Sequence, residues 1–311
     1  MLPSISTVQV WLYRRVRLSR PFLRPLFRRT LLVADLPVNG KTMRVPLQGM
    51  VGIILLGEDY THNWKTKLLE GFVGLFPDCT LVDVGANVGQ TLLQLRSLSD
   101  RVTYVGFEAN PRAAVYLSAL VEENHFPRTT VITAALAGET GAARLLLQGP
   151  AEYTDQSASM IAELRPDRGD TTTTVIAAPF DVVFPSLGLK PPRVVKIDVE
   201  GAELDVLRGM AQTLERDRPL ILCEVLLSDP KAGRGFMDRR NAELIQLLDR
   251  HRYVVCHLSK TQNHIRGVTK LREFPSGFWT PQHSEDCDYL FLPAEETDLI
   301  LARLELSQLG N

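Results

Sequence analysis

Leu81-Val82-Asp83-Val84-Gly85-Ala86-Asn87-Val88-Gly89 reads as an apolar strand that ends in a glycine turn and opens a helix. Gly85 permits the sharp turn, and Gly89 lets the helix approach the strand closely, so a ligand can lie against the backbone N–H groups at the helix start. The stretch departs from the dinucleotide fingerprint G-x-G-x-x-G. Asn87 stands two residues after Gly85, and no third glycine occupies the required place. NAD binding is disfavoured on that ground.

Outward from this turn, short β-branched runs at 81–84, 102–107, 130–136, 193–197, 220–225, 253–258 and 288–292 alternate with apolar residues at three-to-four spacing. That alternation predicts an α/β protein with one doubly wound, seven-stranded, mostly parallel sheet and helices on both faces. Residues 31–76 precede the sheet as a small accessory layer, with short strands between 33 and 51 and a helix over 64–76. Leu68, Leu69, Phe72, Val73 and Phe76 form the apolar stripe of that helix. The expected organisation is an arm at 1–30, the accessory segment at 31–76, the main domain at 77–294 and a C-terminal helix at 295–311. Stretches 148–174 and 259–286 read as long loops facing a substrate.

Three groups of polar residues interrupt the apolar strands at their carboxyl ends, where open α/β sheets bind ligands. Glu108 ends the second strand, placed to accept hydroxyl protons from a ribose; otherwise it is a charge favoured by the following helix dipole. Lys196, Asp198 and Glu200 break the fourth strand, with Glu203 just beyond. Either they face the crevice, or the acids cap a helix starting near Gly201 and Lys196 pairs with a buried carboxylate. Glu224, ending the run Leu220 to Cys223, joins the same cluster.

The 311 residues are 45% apolar and 23% charged, which excludes a disordered or collagen-like chain. The net charge of −1 conceals an asymmetry: residues 1–29 hold seven arginines and no acid, and the remainder holds 28 basic and 36 acidic side chains, a balance of −8. Val8, Trp11, Leu12 and Val16 fall on one side of a helix over 8–18 with arginines opposite. This pattern suits peripheral contact with an anionic membrane, and equally a solvated arm or one docked on the acidic body. The apolar stretch after Arg28-Arg29 is too short for an export signal. Cys79, Cys223, Cys256 and Cys287 show no metal-clip spacing and read as buried free thiols. A cytoplasmic protein with no nucleic-acid partner is expected.

The segments Asp83-Val-Gly85-Ala-Asn87-Val-Gly89, Phe107-Glu108-Ala-Asn110-Pro111 and Lys196-Ile-Asp198-Val-Glu200-Gly201-Ala-Glu203 resemble the hallmark segments of FkbM-type S-adenosylmethionine-dependent methyltransferases. The resemblance implies the Rossmann-like class I methyltransferase fold with an antiparallel last strand. It implies O-methylation of a sugar, glycan or polyketide-like small-molecule acceptor. It also implies S-adenosylmethionine held by Asp83, Gly85, Ala86, Asn87, Gly89, Glu108 and Ala135, with Asp198, Glu200 and Glu224 as catalytic candidates. Asp198 is expected either to orient the methionine ammonium or to act as base. A histidine (His62, His264 or His283) and a divalent cation on Asp198, Glu200 and Glu224 are the other routes to proton removal. The metal is not favoured, because no ligand set of diagnostic spacing occurs. Phe274, Phe278 and Trp279 suit a sugar-stacking lid or a closed core, and Ser157, Ser159 and Met160 suit contact with cofactor or acceptor. A dinucleotide-dependent oxidoreductase and a catalytically silent S-adenosylmethionine-binding module are the competing functions.

Overall fold

The computed structural model describes residues 4–5, 32–47, 55–56, 60, 63–147, 158–161, 171–228, 234–278 and 286–306. The helix expected over 8–18 lies outside the described residues, as does most of the arginine arm. Within the arm, Ser4–Ile5 forms a short strand, β1, parallel to β2 (Leu32–Val38). Asn39 and Gly40, at φ 47° and 75°, then turn the chain into antiparallel β3 (Lys41–Leu47), the Asn-Gly pair supplying the left-handed backbone that a tight hairpin needs. The accessory layer continues with α1 (Trp64–Leu75), which buries Leu68, Leu69 and Phe72 of the expected stripe.

The signature stretch follows as β4 (Thr80–Val84) and α2 (Gln90–Leu98), then β5 (Thr103–Phe107), α3 (Pro111–Asn124) and β6 (Thr129–Ile132). After a second, smaller sheet of β7 (Ala135–Leu136), β8 (Gly141–Leu147) and β9 (Thr171–Ala178), the chain runs through α4 (Phe180–Val183) into β10 (Pro192–Ile197). The rest comprises α5 (Glu203–Arg208), α6 (Ala211–Arg216), β11 (Leu220–Glu224), α7 (Arg234–Arg250), β12 (Tyr253–Lys260), β13 (Ile265–Leu271), β14 (Asp288–Pro293) and α8 (Thr297–Arg303).

The main sheet has the order β13-β12-β14-β11-β10-β4-β5-β6, with β14 antiparallel to both of its neighbours. Apart from β13, this is the doubly wound methyltransferase arrangement that the sequence implies. Strand periodicity divides its core in two. Leu81, Tyr104, Val194, Leu222 and Leu290 pack on the side of α1, α2 and α3. Val82, Val105, Val195, Ile221 and Phe291 pack on the side of α5, α6 and α7.

Three expectations need correction. The sheet has eight strands, not seven, because Ile265–Leu271 pairs antiparallel with β12 inside the supposed loop 259–286. As an edge strand with Arg266, Thr269 and Lys270 exposed, β13 buries too little apolar surface to announce itself by alternation. The supposed loop 148–174 likewise contains the start of β9, where Thr171 to Thr174 pair with β8. Their β-branched side chains suit a half-exposed strand. The single strand expected over 130–136 is two: it stops at Ile132, and Ala135 and Leu136 pair with β9 in the smaller sheet.

Candidate active site

The turn after β4 is stitched to the end of β5. Gly85 and Ala86 both donate their N–H to Phe107 O, at 2.9 and 3.0 Å. Glu108 spans the same gap with its carboxylate, Oε2 accepting from Asn87 N and Oε1 from Asn110 N, each at 2.7 Å. Glu108 thus meets the start of α3 as well as the turn after β4. The Asn110 side chain caps α3, accepting from Arg112 N at 3.1 Å. Burial pushes the Glu108 carboxyl up to about 7 even though both N–H groups favour its charged form.

Two residues of the expected cofactor set lie elsewhere. A Cβ on Gly89 would come within 2.8 Å of Leu117 and Leu120, so this glycine, at φ 100°, admits close approach to α3 and not, as expected, to the strand. Asp83 is wholly buried beneath the crevice. In the ladder it stands directly opposite Lys196, and the pair meets at 3.1 Å, while Tyr104 OH donates to the other carboxylate oxygen at 2.7 Å. Asp83 thus acts on the site through Lys196.

Lys196 Nζ also reaches Asp198 Oδ2 at 3.3 Å, which realises the paired-carboxylate reading of Lys196. The capping reading of Asp198 and Glu200 fails: α5 starts at Glu203, and Glu203 Oε1 is the group that accepts the Gly201 N–H, at 2.9 Å. Between them Glu200 and Gly201 turn at φ 55° and 101°. Ser159 Oγ holds this turn by donating to Glu200 O at 2.6 Å, so Ser159 braces the acidic turn. Burial raises the Glu203 carboxyl to about 7.

Asp198, Glu200 and Glu224 bring one carboxylate oxygen each within 4.8 Å of one another. Three adjacent anions would repel strongly, and the site relieves this in two ways. Burial by itself would raise the Asp198 carboxyl, but Lys196 and Lys65 hold it down at about 2. Burial and its acidic neighbours push the Glu224 carboxyl well above the ordinary range, and it shares a side-chain hydrogen bond with Asp198. The oxygens of the three acids are also close enough together that these side chains could hold a metal ion.

These elements enclose a cavity of about 330 Å³. Gly85, Ala86, Asn87 and Glu108 line one side and Asp198, Glu200 and Glu224 another, with Ala109, Ala134, Ala135 and Leu136 forming an apolar wall. Leu145 of β8 and Met160 complete that wall, supported by the cluster of Ala135, Val175 and Ala177. Lys65, Gln90 and Thr91 also line it, and sequence reasoning missed all three together with Leu145. No described histidine lines the cavity. His264 is exposed and His257 Nε2 contacts Asp286 O at 3.1 Å, whereas His62 and His283 lie outside the described residues. Phe274 is not a lid residue: it is buried edge-on against Tyr289. Ser157 and Trp279 lie outside the described residues.

The cavity suits an elongated ligand with a flat apolar end, a hydroxylated middle and a charged end. Asn87 Oδ1 is buried, with no hydrogen-bond partner among the described residues.

Among solved structures, the chain is similar to methyltransferase FkbM from Methylobacillus flagellatus, at 16% identity over 69% of this chain and 43% of that one, with a TM-score of 0.42. It is also similar to the Bacillus cereus O-methyltransferase in complex with SAH, at 15% identity over 73% and 79% of the two chains and a TM-score of 0.41. The chain thus spans less than half of the Methylobacillus protein. No curated protein matches. Residues 83–255, more than half of the chain, match the family described as Methyltransferase FkbM domain. Those residues run from the start of the signature turn through Glu108, the acidic cluster and into β12, and on that match the chain belongs to the FkbM family of S-adenosylmethionine-dependent methyltransferases.

Proposed function

We propose that the chain methylates a hydroxyl group of a sugar, glycan or polyketide-like acceptor. The observation carrying this reading is the wall of three carboxylates on the cavity that also holds the signature turn. Carboxylates accept hydrogen bonds from hydroxyls and can take up the proton that an attacking oxygen must lose.

The residues present fit S-adenosylmethionine, which supplies an electrophilic methyl group on a sulfonium when bound. The apolar wall of Ala109, Ala134 to Leu136, Leu145 and Met160 would take the adenine, and the remaining lone pairs of Glu108 the ribose hydroxyls. The turn from Gly85 to Asn87 would border the methionine part. Methyl displacement demands alignment, so most of what the protein contributes is holding the acceptor oxygen in line and keeping water away.

Each acid then has a distinct task. Held at about 2, Asp198 is too weak a base for an alcohol and serves to bind positive charge. Glu224, pushed well above the ordinary carboxylate range by burial and its acidic neighbours, favours its protonated form. Glu200, on its braced turn, is left to accept the hydroxyl proton. Glu200→Gln should lower turnover at least about 100-fold, within the usual range for a lost general base, with S-adenosylhomocysteine affinity unchanged. A variant with full turnover would remove Glu200 from the mechanism.

No helix among the described residues is long and apolar enough to cross a membrane. The arginine arm is proposed to hold the enzyme against anionic lipid near its acceptor. That proposal rests on the sequence pattern that sets Arg14 and Arg17 opposite Val8, Trp11 and Leu12 on a helix over 8–18.

A further inference from the structure

Lys65 comes from the accessory segment, outside the family match of residues 83–255. The first turn of α1 that carries it is tied down on several sides. Asn63 Oδ1 accepts from Lys65 N at 2.8 Å, and Trp64 N donates to Gln262 O at 3.1 Å. Thr66 Oγ1 donates to Tyr60 O at 2.6 Å and accepts from Gln94 Nε2 at 2.9 Å. The backbone at Lys65 is fixed in this way, and its side chain lines the cavity with Nζ over the Trp64 ring, 5.5 Å from the centroid.

Two lysines line that cavity. Lys196 is engaged by Asp83 at 3.1 Å and Asp198 at 3.3 Å. Among the described residues, no carboxylate lies within the 4.0 Å ion-pair distance of Lys65 Nζ. Yet Lys65 is near enough to Asp198 for its charge to favour the ionised carboxyl. The cavity therefore presents a cation, Lys65, and an anion, Asp198, that do not form an ion pair with each other, Asp198 being held by Lys196. A zwitterion is the ligand chemistry such an arrangement matches.

We propose that Lys65 and Asp198 together receive an α-amino-acid head group, Lys65 binding the carboxylate and Asp198 the ammonium of the cofactor's methionine end. This rests on the reading of the cavity as an S-adenosylmethionine site. It makes the accessory layer part of the cofactor site and assigns Lys65 to the cofactor, not to an acidic acceptor.

Calorimetric titration of the full chain with S-adenosylhomocysteine and with 5′-methylthioadenosine, which lacks the head group, tests it. Lys65→Met should weaken S-adenosylhomocysteine binding by about tenfold or more, the scale of one charge-assisted contact, and leave 5′-methylthioadenosine within about twofold. Lys65→Arg should keep S-adenosylhomocysteine within about threefold of the native value. Equal loss of both ligands would reduce Lys65 to a support for α1 and overturn the proposal. Unchanged S-adenosylhomocysteine binding with a raised acceptor KM would overturn it in favour of an acidic acceptor. A native chain that binds neither nucleoside would instead overturn the cofactor reading on which the proposal stands.

Discussion

Gly85→Ala is expected to destabilise the protein by about 4 kcal/mol or more, beyond the usual range for a single substitution, and to remove cofactor binding in whatever remains folded. Gly85 sits at φ 81°, and a Cβ there would lie 1.9 Å from the carbonyl oxygen of Asp198 and 2.9 Å from its carbonyl carbon. Both are backbone atoms, so no side-chain rotation relieves the overlap. The two strand ends are already joined, Asp198 N donating to Val84 O at 3.0 Å. Relief requires prising β4 from β10, which displaces Asp198 and the acidic turn together. Gly188 is the internal control, being at φ 62° with nothing within 4 Å of an added Cβ. Gly188→Ala should cost only the left-handed backbone penalty of roughly 1 kcal/mol. Denaturant midpoints compare the two, and equal losses would show that the close crossing at Gly85 is not what demands a glycine.

Glu108→Ala should lower cofactor affinity by about 100-fold or more, the combined worth of two hydrogen bonds from ribose hydroxyls to a buried carboxylate. The fold should survive, because Asn87 lines the cavity and water entering the space left by the carboxylate can replace the acceptors lost to Asn87 N and Asn110 N. The same residue gives the binding a pH dependence. With its carboxyl pushed up to about 7 by burial, Glu108 is partly protonated near neutrality. Only the carboxylate accepts both hydroxyls, so affinity should rise by about tenfold between pH 6 and 8 in the native chain and stay flat in Glu108→Gln. For stability the sign is opposite. The folded value lies above the unfolded one, so the contribution of the neutral acid is complete below about pH 4.5 and is lost as pH rises to about 7. Calorimetry on the native and Glu108→Ala chains decides the assignment, and unchanged affinity would refute it.

The parts of this fold legible in sequence were those where one physical demand acts on consecutive residues. β4, buried at all five positions, spells itself out as Thr80 to Val84, and the breaks in β10 at Lys196 and Asp198 mark where the sheet meets the crevice. The carboxylate cluster was legible too, since Glu224 ends one apolar strand and Asp198 and Glu200 follow closely on another. Long-range pairing was what the sequence concealed. That Asp83 lies beneath the cavity and not in it follows from its register opposite Lys196 and from Tyr104 on the next strand, 21 residues away in the chain. The start of β9 hides in a run of threonines because their pairing with β8, and no local pattern, makes them a strand. Lys65 stands two residues before Lys67 in the same helix, and nothing local separates the lysine that lines the cavity from the one exposed to solvent.

The most direct test of the central claim, that this crevice is an S-adenosylmethionine site built for methyl transfer, is calorimetric titration of the native full-length chain with S-adenosylhomocysteine and, separately, with NAD. The account predicts saturable binding of one S-adenosylhomocysteine per chain and no binding of NAD, since Asn87 stands where the dinucleotide turn needs glycine. Binding of NAD with no binding of S-adenosylhomocysteine would contradict it.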